Sequence, residues 1–555
     1  MRRSLGRLFV LCIAVAAVLA APLAAMAGGE LALPITHQTY NSLDPFLAHG
    51  DGTVPGSAAA TVSSPICAAS GSGGSNRRVD CEGNAPDNET VIAVNPKNDN
   101  NLIGGANDYQ LTLSGGSLYE SALSRAHVSM DGGATWKSYP IPYQSYNFTG
   151  DPAIAFDATG RAYYATLGFV FGQGGLTGTN PDIVVSSSTT GGQSWTTPVR
   201  VAAGAGSFGS VGTFNDKEFI AAWGNGNAIV TWSRFLDGTG GSYIQSPIFA
   251  SVTHDGGATW SPGVEISGSA SFCAGSGFEG PTTCDQDQAS IPTVGPDGSV
   301  YVAFENGPVK GSADFDDQYL VVQVDPQTGA RIAGPFLAAT MQDGTRDYPI
   351  NVDGRQTYQN SQFRTWSAGN IAADPTTAGH LALTFSDMRN SPSLDSGKTD
   401  PYTTATNSDV FVIQSWNGGA SWSSPVTAGP TSGDQFFPWA AYRPDGRLAI
   451  SMLDRSYDSA NRKYGVTLST EKPAGSLNFK SVQATTALSD PTQNTRWFSG
   501  GVKDHATTFL GDYNALAFDS SSLAHPLWVD MRNDTCFTVR CGHDEQLWTT
   551  SLSVR

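Results

Sequence analysis

Ser129-Met130-Asp131-Gly132-Gly133-Ala134-Thr135-Trp136 returns three times along the chain, as Thr253-His254-Asp255-Gly256-Gly257-Ala258-Thr259-Trp260, as Ser415-Trp416-Asn417-Gly418-Gly419-Ala420-Ser421-Trp422 and as Ser188-Thr189-Thr190-Gly191-Gly192-Gln193-Ser194-Trp195. A single copy reads as a turn; four copies read as one supersecondary unit used repeatedly. The Asp or Asn bonds backbone two residues on, and the paired glycines supply positive φ. The hydroxyl at the seventh position satisfies a turn amide, and the Trp buries its ring against the flanking strands. These turns locate blades of a repeat and carry no chemistry themselves.

A second pattern lies between the octapeptides: an apolar strand, a turn, then another apolar strand. It begins at Val91-Ile92-Ala93-Val94 and recurs at Ala153-Ile154-Ala155-Phe156, Phe219-Ile220-Ala221-Ala222, Ile291-Pro292-Thr293-Val294, Asn370-Ile371-Ala372-Ala373, Pro438-Trp439-Ala440-Ala441 and Ala515-Leu516-Ala517-Phe518. The spacing, roughly 60–80 residues, suits four short strands per unit. The count predicts an all-β, closed β-propeller of seven four-stranded blades. The seventh unit runs out of chain after Gln546–Val554, so a strand from the N-terminal segment, with Glu30–Ile35 as candidate, is expected to close the ring and remove its sheet edges.

Composition agrees with this reading. The chain of 555 residues has 39% hydrophobic and only 14% charged residues, with 63 Gly and 31 Pro, a balance that favours strands and turns over helices. Its net charge of -18 argues against a nucleic-acid partner, which needs a basic surface. Arg2, Arg3 and Arg7 precede a short apolar run, Leu8–Ala21, and Ala25-Met26-Ala27 offers a small-residue cleavage site. Residues 1–27 therefore read as a signal peptide, residues 28–84 as an N-terminal segment and residues 85–555 as the propeller; the protein is expected to be secreted, extracellular or periplasmic, with no transmembrane segment. Of seven cysteines, Cys12 would leave with the signal. The six others are expected to form local disulfides, Cys67–Cys81, Cys273–Cys284 and Cys536–Cys541.

In such a blade the first strand starts on the face opposite the octapeptides, and the long insertions Gln342–Trp366 and Asp490–Leu510 also fall on that looped face. Long loops on a rigid frame are where function collects. Six of the seven first-strand entrances carry a carboxylate: Glu89, Asp151, Asp216, Asp287, Asp434 and Asp512. Two readings stand. Either the five aspartates Asp151, Asp216, Asp287, Asp434 and Asp512 form a metal-binding ring, Ca²⁺ being the cation suited to oxygen ligands, or each carboxylate caps the next turn; no cofactor is required in either case. Three Asp–Arg couples follow second strands, Asp387 with Arg389, Asp454 with Arg455 and Asp530 with Arg532. Their arginines are candidates for gripping an anionic substrate, or else repeated strand-end ion pairs.

The octapeptides resemble the Asp-box, or BNR repeat, of the sialidase-like β-propellers, a family with six blades. The resemblance implies a glycoside hydrolase with a Tyr nucleophile, an assisting Glu, an acid/base Asp and three arginines on the sugar carboxylate. Gly511-Asp512-Tyr513-Asn514 is similar to the family's last-blade segment, which makes Tyr513 the candidate nucleophile. Asp108 stands where the acid/base is expected, and Glu89 or Glu218 is the candidate activator. The family's Phe/Tyr-Arg-Ile-Pro motif is absent, with Asp87-Asn88-Glu89-Thr90 in its place. Two functions are therefore carried forward: a secreted sialidase-type hydrolase acting on sialylated or other glycans, and a non-catalytic propeller binding glycan, protein or calcium at a cell surface or in the extracellular space. The missing arginine motif and the acidic ring predict weak or absent sialidase activity.

Overall fold

In the computed structural model the residues described are 54–55, 75–80, 86–114, 117–170, 179–207, 211–239, 242–273, 275, 280, 282–307, 316–344, 346–349, 356–361, 363–391, 403–491, 510–537, 540–543 and 545–554; the side chains of 54–55, 110–122 and 534–542 are not among them. The chain forms a seven-bladed β-propeller. The innermost strands are Asp87–Val94, Phe148–Phe156, Gly212–Trp223, Asp287–Val294, Ala368–Ala373, Gln435–Tyr442 and Ala515–Phe518. Each opens an antiparallel blade that runs outward in chain order, save for the outermost strand of the seventh. Among the described residues no helix is long and apolar enough to cross a membrane.

Ring closure follows the expected principle with a different segment. Arg77–Arg78 pairs antiparallel with Gln546–Thr549 as the outermost strand of the seventh blade. Residues 30–35 lie outside the described residues. Two arginines give no apolar alternation, so the closing strand has no pattern signal of its own; it is fixed by the open edge it covers.

The octapeptides join third strands to fourth strands, as at Ala126–Ser129 and Lys137–Tyr139. Asp131 accepts the Thr135 amide at 2.8 Å and the Thr135 hydroxyl at 2.7 Å, while Ser129 Oγ takes the Gly133 amide at 2.8 Å. The same bonds recur around Asp255; Asn417 likewise accepts the Ser421 amide but donates its Nδ2 to Ser421 Oγ, and Thr190 and Ser194 make the pair in the remaining copy. Only Trp136 of the four closing tryptophans is fully buried; Trp195, Trp260 and Trp422 are partly exposed. The second glycine does work the sequence did not disclose. A Cβ on Gly192 would stand 2.7 Å from Ile103 and 2.9 Å from Val128 of the preceding blade. With the Asn101 side-chain amide donating to Gly191 O at 2.9 Å, the turn clips one blade to the next.

The inner strands share a second device. In six blades the register shifts at the same point, skipping Glu89-Thr90, Asp151-Pro152, Lys217-Glu218, Ala289-Ser290, Gly369-Asn370 and Phe437-Pro438. Glu89, Asp151, Lys217, Ala289 and Phe437 adopt φ between 47° and 57°, a left-handed conformation uncommon for residues with a Cβ. Such a bulge re-aims the side chain it carries and is favoured beside functional sites.

Of the three expected disulfides, Cys273–Cys284 is formed, with Cα atoms 5.2 Å apart. Cys536 and Cys541 are directly opposed in the Asp534–Phe537/Arg540–His543 hairpin, but their side chains lie outside the described set. Cys67 and Cys81 lie outside the described residues.

Candidate functional site

The left-handed bulges of the first three blades bring Glu89, Asp151 and Lys217 together at the looped end of the channel. Lys217 Nζ is 2.6 Å from Glu89 Oε1, 2.9 Å from Asp151 Oδ2 and 2.7 Å from Asp512 Oδ2, and all four side chains are essentially inaccessible to solvent. The Asp151 contact is an ion pair without the alignment of a hydrogen bond. Lys217 also lies 5.2 Å from the Trp366 ring centre and 5.9 Å from that of Tyr513. Burial alone would lower the pKa of this ammonium; Asp151, Asp512 and Glu89 outweigh it and hold the group well above its usual value.

A second cation arrives from the insertion between the fourth and fifth blades. Arg364 meets Asp512 with both oxygens, Nε–Oδ1 being 2.8 Å. Burial works against the Asp512 carboxylate, but Arg364 and then Lys217 pull its pKa down to about 2. The segment that delivers Arg364 is itself tethered by Arg455, which donates to Gln359 O at 2.8 Å and to the Ser361 hydroxyl. Arg455 is fully buried among the rings of Tyr358, Phe363 and Phe436.

The carboxyls at the mouth divide into two kinds. Asp151 and Asp512 face cations. Glu89 accepts from Lys217 and, at 2.7 Å, from the Asn107 amide, yet burial first and Asp151 second raise its pKa well above the usual value. Glu218, next to Lys217 on the bulge, is completely buried and reaches only its own backbone amide; among the described residues neither oxygen has another hydrogen-bond partner. Burial, reinforced by Asp151, raises its pKa well above the usual carboxylate value and so favours its protonated form. The Tyr513 hydroxyl likewise has no hydrogen-bond partner among the described residues. Its ring packs edge-on against Phe219, centroids 5.2 Å apart, and burial followed by the fields of Glu89, Asp151 and Glu218 keeps its phenol well above the ordinary value.

The other sequence candidates fall elsewhere. Asp108 is clamped by Arg125, with Nε–Oδ2 at 2.6 Å and the second oxygen on Nη2, both residues buried. Arg389 and Arg532 each fold back on the Asp two residues earlier, Nε–Oδ1 being 2.9 and 2.8 Å. Arg455 does not pair with Asp454; its carboxylate neighbour is Asp434, at 3.5 Å.

The six entrance carboxylates are not equivalent. Counted from the left-handed bulge residue, Glu89 and Asp151 stand on it, Asp216 one before, Asp287 two before and Asp434 three before. Asp287 accepts from Asn306 at 2.5 Å. Asp434 accepts from Thr406 at 2.7 Å, Asn461 at 2.8 Å and the Ser408 amide at 3.0 Å, an arrangement of local capping. The point where Glu89, Asp151 and Asp512 converge holds the protein's own cation, Lys217. Among the described residues, the group suited by spacing to a metal is Glu305, Asp317 and Asp343 of the fourth blade, with one oxygen from each within 4.8 Å of the others. Three carboxylates supply fewer than the six to eight oxygens that Ca²⁺ takes, so a cation there would need further ligands. Burial, then Asp317, then Asp512 raise the Glu305 pKa, so this cluster feels the central one.

Sequence reasoning missed Lys217, Arg364 and Trp366. Lys217 had a signal, as the lysine in Asn215-Asp216-Lys217-Glu218 at an inner-strand entrance otherwise marked by acids. Arg364 had only its place in a long insertion.

No protein-family model matches the sequence, and no curated protein matches it. Solved structures give distant likenesses. An α-L-arabinanase of Penicillium chrysogenum complexed with arabinobiose is 13% identical, with TM-score 0.41, over 87% of this chain and 98% of that one. The NanB sialidase of Streptococcus pneumoniae is 9% identical, TM-score 0.41, over 81% and 83%. The GH93 α-L-arabinofuranosidase of Fusarium graminearum with arabinobiose is 14% identical, TM-score 0.39, over 72% and 97%. Likeness at this level assigns no substrate and no residue role to this chain.

Proposed function

We propose that the looped face is the active face of an exported glycoside hydrolase for uncharged sugars, with Glu218 as general acid. The observation that carries the reading is Glu218 itself, a fully buried carboxyl without a side-chain partner among the described residues, whose field reaches the buried Tyr513 hydroxyl, likewise unpartnered among them. Glycoside hydrolysis needs a proton for the leaving oxygen and a nucleophile, or a base for water, on the other side of the sugar. Glu218, whose protonated form burial favours, supplies the first. Asp151, ion-paired with Lys217, is the neighbouring carboxylate for the second, either activating water or taking the proton of Tyr513 as it attacks. Carboxyl groups with such different surroundings are how one site runs both halves of acid–base chemistry.

The substrate preference follows from charge. A sialic acid carboxylate wants unneutralised guanidinium groups. Arg389, Arg532 and Arg364 each face an aspartate, and Lys217 faces three carboxylates. The octapeptide circuit supports a kinship with the Asp-box propellers, with the anion-binding part of their site replaced. The test is a panel of chromogenic arabinosides, galactosides and glucosides beside a fluorogenic sialoside. Release from an uncharged glycoside, lowered about 10²–10⁴-fold in Glu218→Gln, is expected. Release of sialic acid, or full activity in Glu218→Gln, overturns it; no turnover of any substrate leaves the binding-protein alternative in its place.

A further inference from the structure

We propose that Trp416 is the platform of a second carbohydrate-binding site, on the octapeptide face at the junction of the fifth and sixth blades, remote from the channel mouth. Trp416 occupies the second position of its octapeptide, where the other copies carry Met130, Thr189 and His254. The turn does not need it. The bonds of that turn run through Ser415, Asn417, Gly419, Ser421 and the indole of Trp422. Trp416 is nonetheless 60% exposed, and it is the sole aromatic among the large hydrophobic side chains exposed in the described residues.

An exposed indole normally swings among rotamers; this one is held. It lies flat on the His380 imidazole, ring centres 3.6 Å apart and planes 12° apart. His380 is buried and fixed in turn, its Nδ1 2.8 Å from Asp374 Oδ2 and its Nε2 3.4 Å from the Tyr442 hydroxyl. The edge of the indole meets the neighbouring blade's turn, where Gly475 has φ of 70° and a Cβ would stand 3.2 Å from Cζ2 and Cη2. One face of the ring is therefore covered by His380 and one edge bordered by Gly475, while most of its surface faces solvent. Little ordering entropy is left to lose on binding.

The chemistry around the ring selects the occupant. A protein partner would want a contiguous apolar patch with a buried centre. Here a single flat aromatic is followed by exposed Asn417, and the adjoining turn exposes Pro473, Ala474 and Asn478, with Lys472 and Ser476 partly exposed, but no second large apolar side chain. A sugar ring matches that pattern, presenting one face of C–H groups to an indole and a rim of hydroxyls to polar neighbours. A platform remote from the catalytic mouth would hold a polysaccharide chain near the site that cuts it, so the inference agrees with the proposed hydrolase without depending on it.

Affinity electrophoresis of the full chain in gels containing soluble arabinan, barley β-glucan or galactomannan tests the site. Retardation in at least one gel is expected, lost in Trp416→Ala and retained in part in Trp416→Tyr. Circular dichroism and thermal melting of the Trp416 variants establish that they are folded. Two outcomes overturn the inference: no retardation of the native protein in any gel, or equal retardation of Trp416→Ala. Self-association of the native protein that Trp416→Ala abolishes, with no polysaccharide binding, would also overturn it and identify the indole as a protein contact. Retardation of a native protein that turns over no glycoside tells against the hydrolase reading alone.

Discussion

The two faces of this ring use the same side chain to opposite ends. On the octapeptide face Asp255 opposes its small burial with hydrogen bonds from Thr259, Thr253 and the local backbone, and its pKa falls to about 2. Every partner lies within four residues. At the channel mouth the carboxyls are buried without enough donors, and Glu89 and Glu218 are driven up instead. Their surroundings come from different blades: Glu89 meets Lys217 across 128 residues of sequence, and Asp512 meets Arg364 across 148. The octapeptide face thus stores stability in ionised carboxylates with local donors, whereas the mouth holds an acidic group in reserve at the expense of stability. Proteins concentrate such poorly satisfied groups where chemistry is done.

The largest effect expected is at the mouth. Lys217→Met removes the cation on which three carboxylates converge and leaves buried charge uncompensated, so the folded state should lose about 3–5 kcal/mol at neutral pH. Part of that loss should return as pH falls, because Glu89, whose pKa burial and then Asp151 raise, takes up a proton and ceases to repel its neighbours. Thermal melts of native and variant protein across pH 4–8 measure it; a loss independent of pH would show that Lys217 acts by packing alone. Next in size is Gly192→Ala on the other face. The φ of 87° is strained for any side chain, roughly 1–2 kcal/mol, and the new methyl group presses into Ile103 and Val128, for roughly 1–3 kcal/mol more. Urea unfolding reads the sum, and a loss under 1 kcal/mol would show that these turns are not clips between blades.

The same contrast explains what could be read from sequence. The octapeptide closes its hydrogen bonds within eight residues, and each inner strand advertises itself as an apolar run, so blade number and the face bearing the turns were legible. Blade closure was legible as a need, but Arg77–Arg78 carries no strand signature and another segment was expected. The mouth was legible as a place and poorly as a constellation. Tyr513, Glu89, Asp151 and Asp512 were named, yet their focus is Lys217, which neither the metal-ring nor the capping reading of the acids includes. Arg364 reaches Asp512 only because Arg455 and its aromatic neighbours fix the Gln359–Phe363 segment, and no local pattern encodes a tether of that kind. The bulge also mattered: an offset of one to three residues along an inner strand decides whether a carboxylate enters the cluster or caps a loop, as Asp434 does.

A smaller effect is expected from Asp255→Ala. It removes two bonds to Thr259 at an exposed turn, for about 1 kcal/mol. The native carboxylate has a depressed pKa, so its contribution is present above the ordinary carboxylate range and is lost as pH falls through about 2. The melting temperatures of native and variant protein should therefore differ most at neutral pH and approach each other in strong acid. A gap that widened in acid would contradict the assignment of the turn carboxylate as ionised.

Glu218→Gln should alter stability least and tests the comparison most directly, because its pH dependence has the opposite sign. A carboxyl whose folded pKa lies above its unfolded value favours the folded state below about pH 4, and that contribution declines as pH rises through the unfolded pKa toward the folded one. At neutral pH the native chain must bury a group that its unfolded form ionises freely, whereas glutamine is neutral in both states and close to it in shape. The variant should thus equal the native protein near pH 4 and match or exceed its melting temperature at pH 7–8, while losing hydrolysis. Thermal melts at the two pH values, beside the glycoside panel, separate the cases. A variant less stable at pH 8 than at pH 4 relative to the native chain would mean that Glu218 is ionised and satisfied, and a carboxylate in that condition has no proton to give a leaving group.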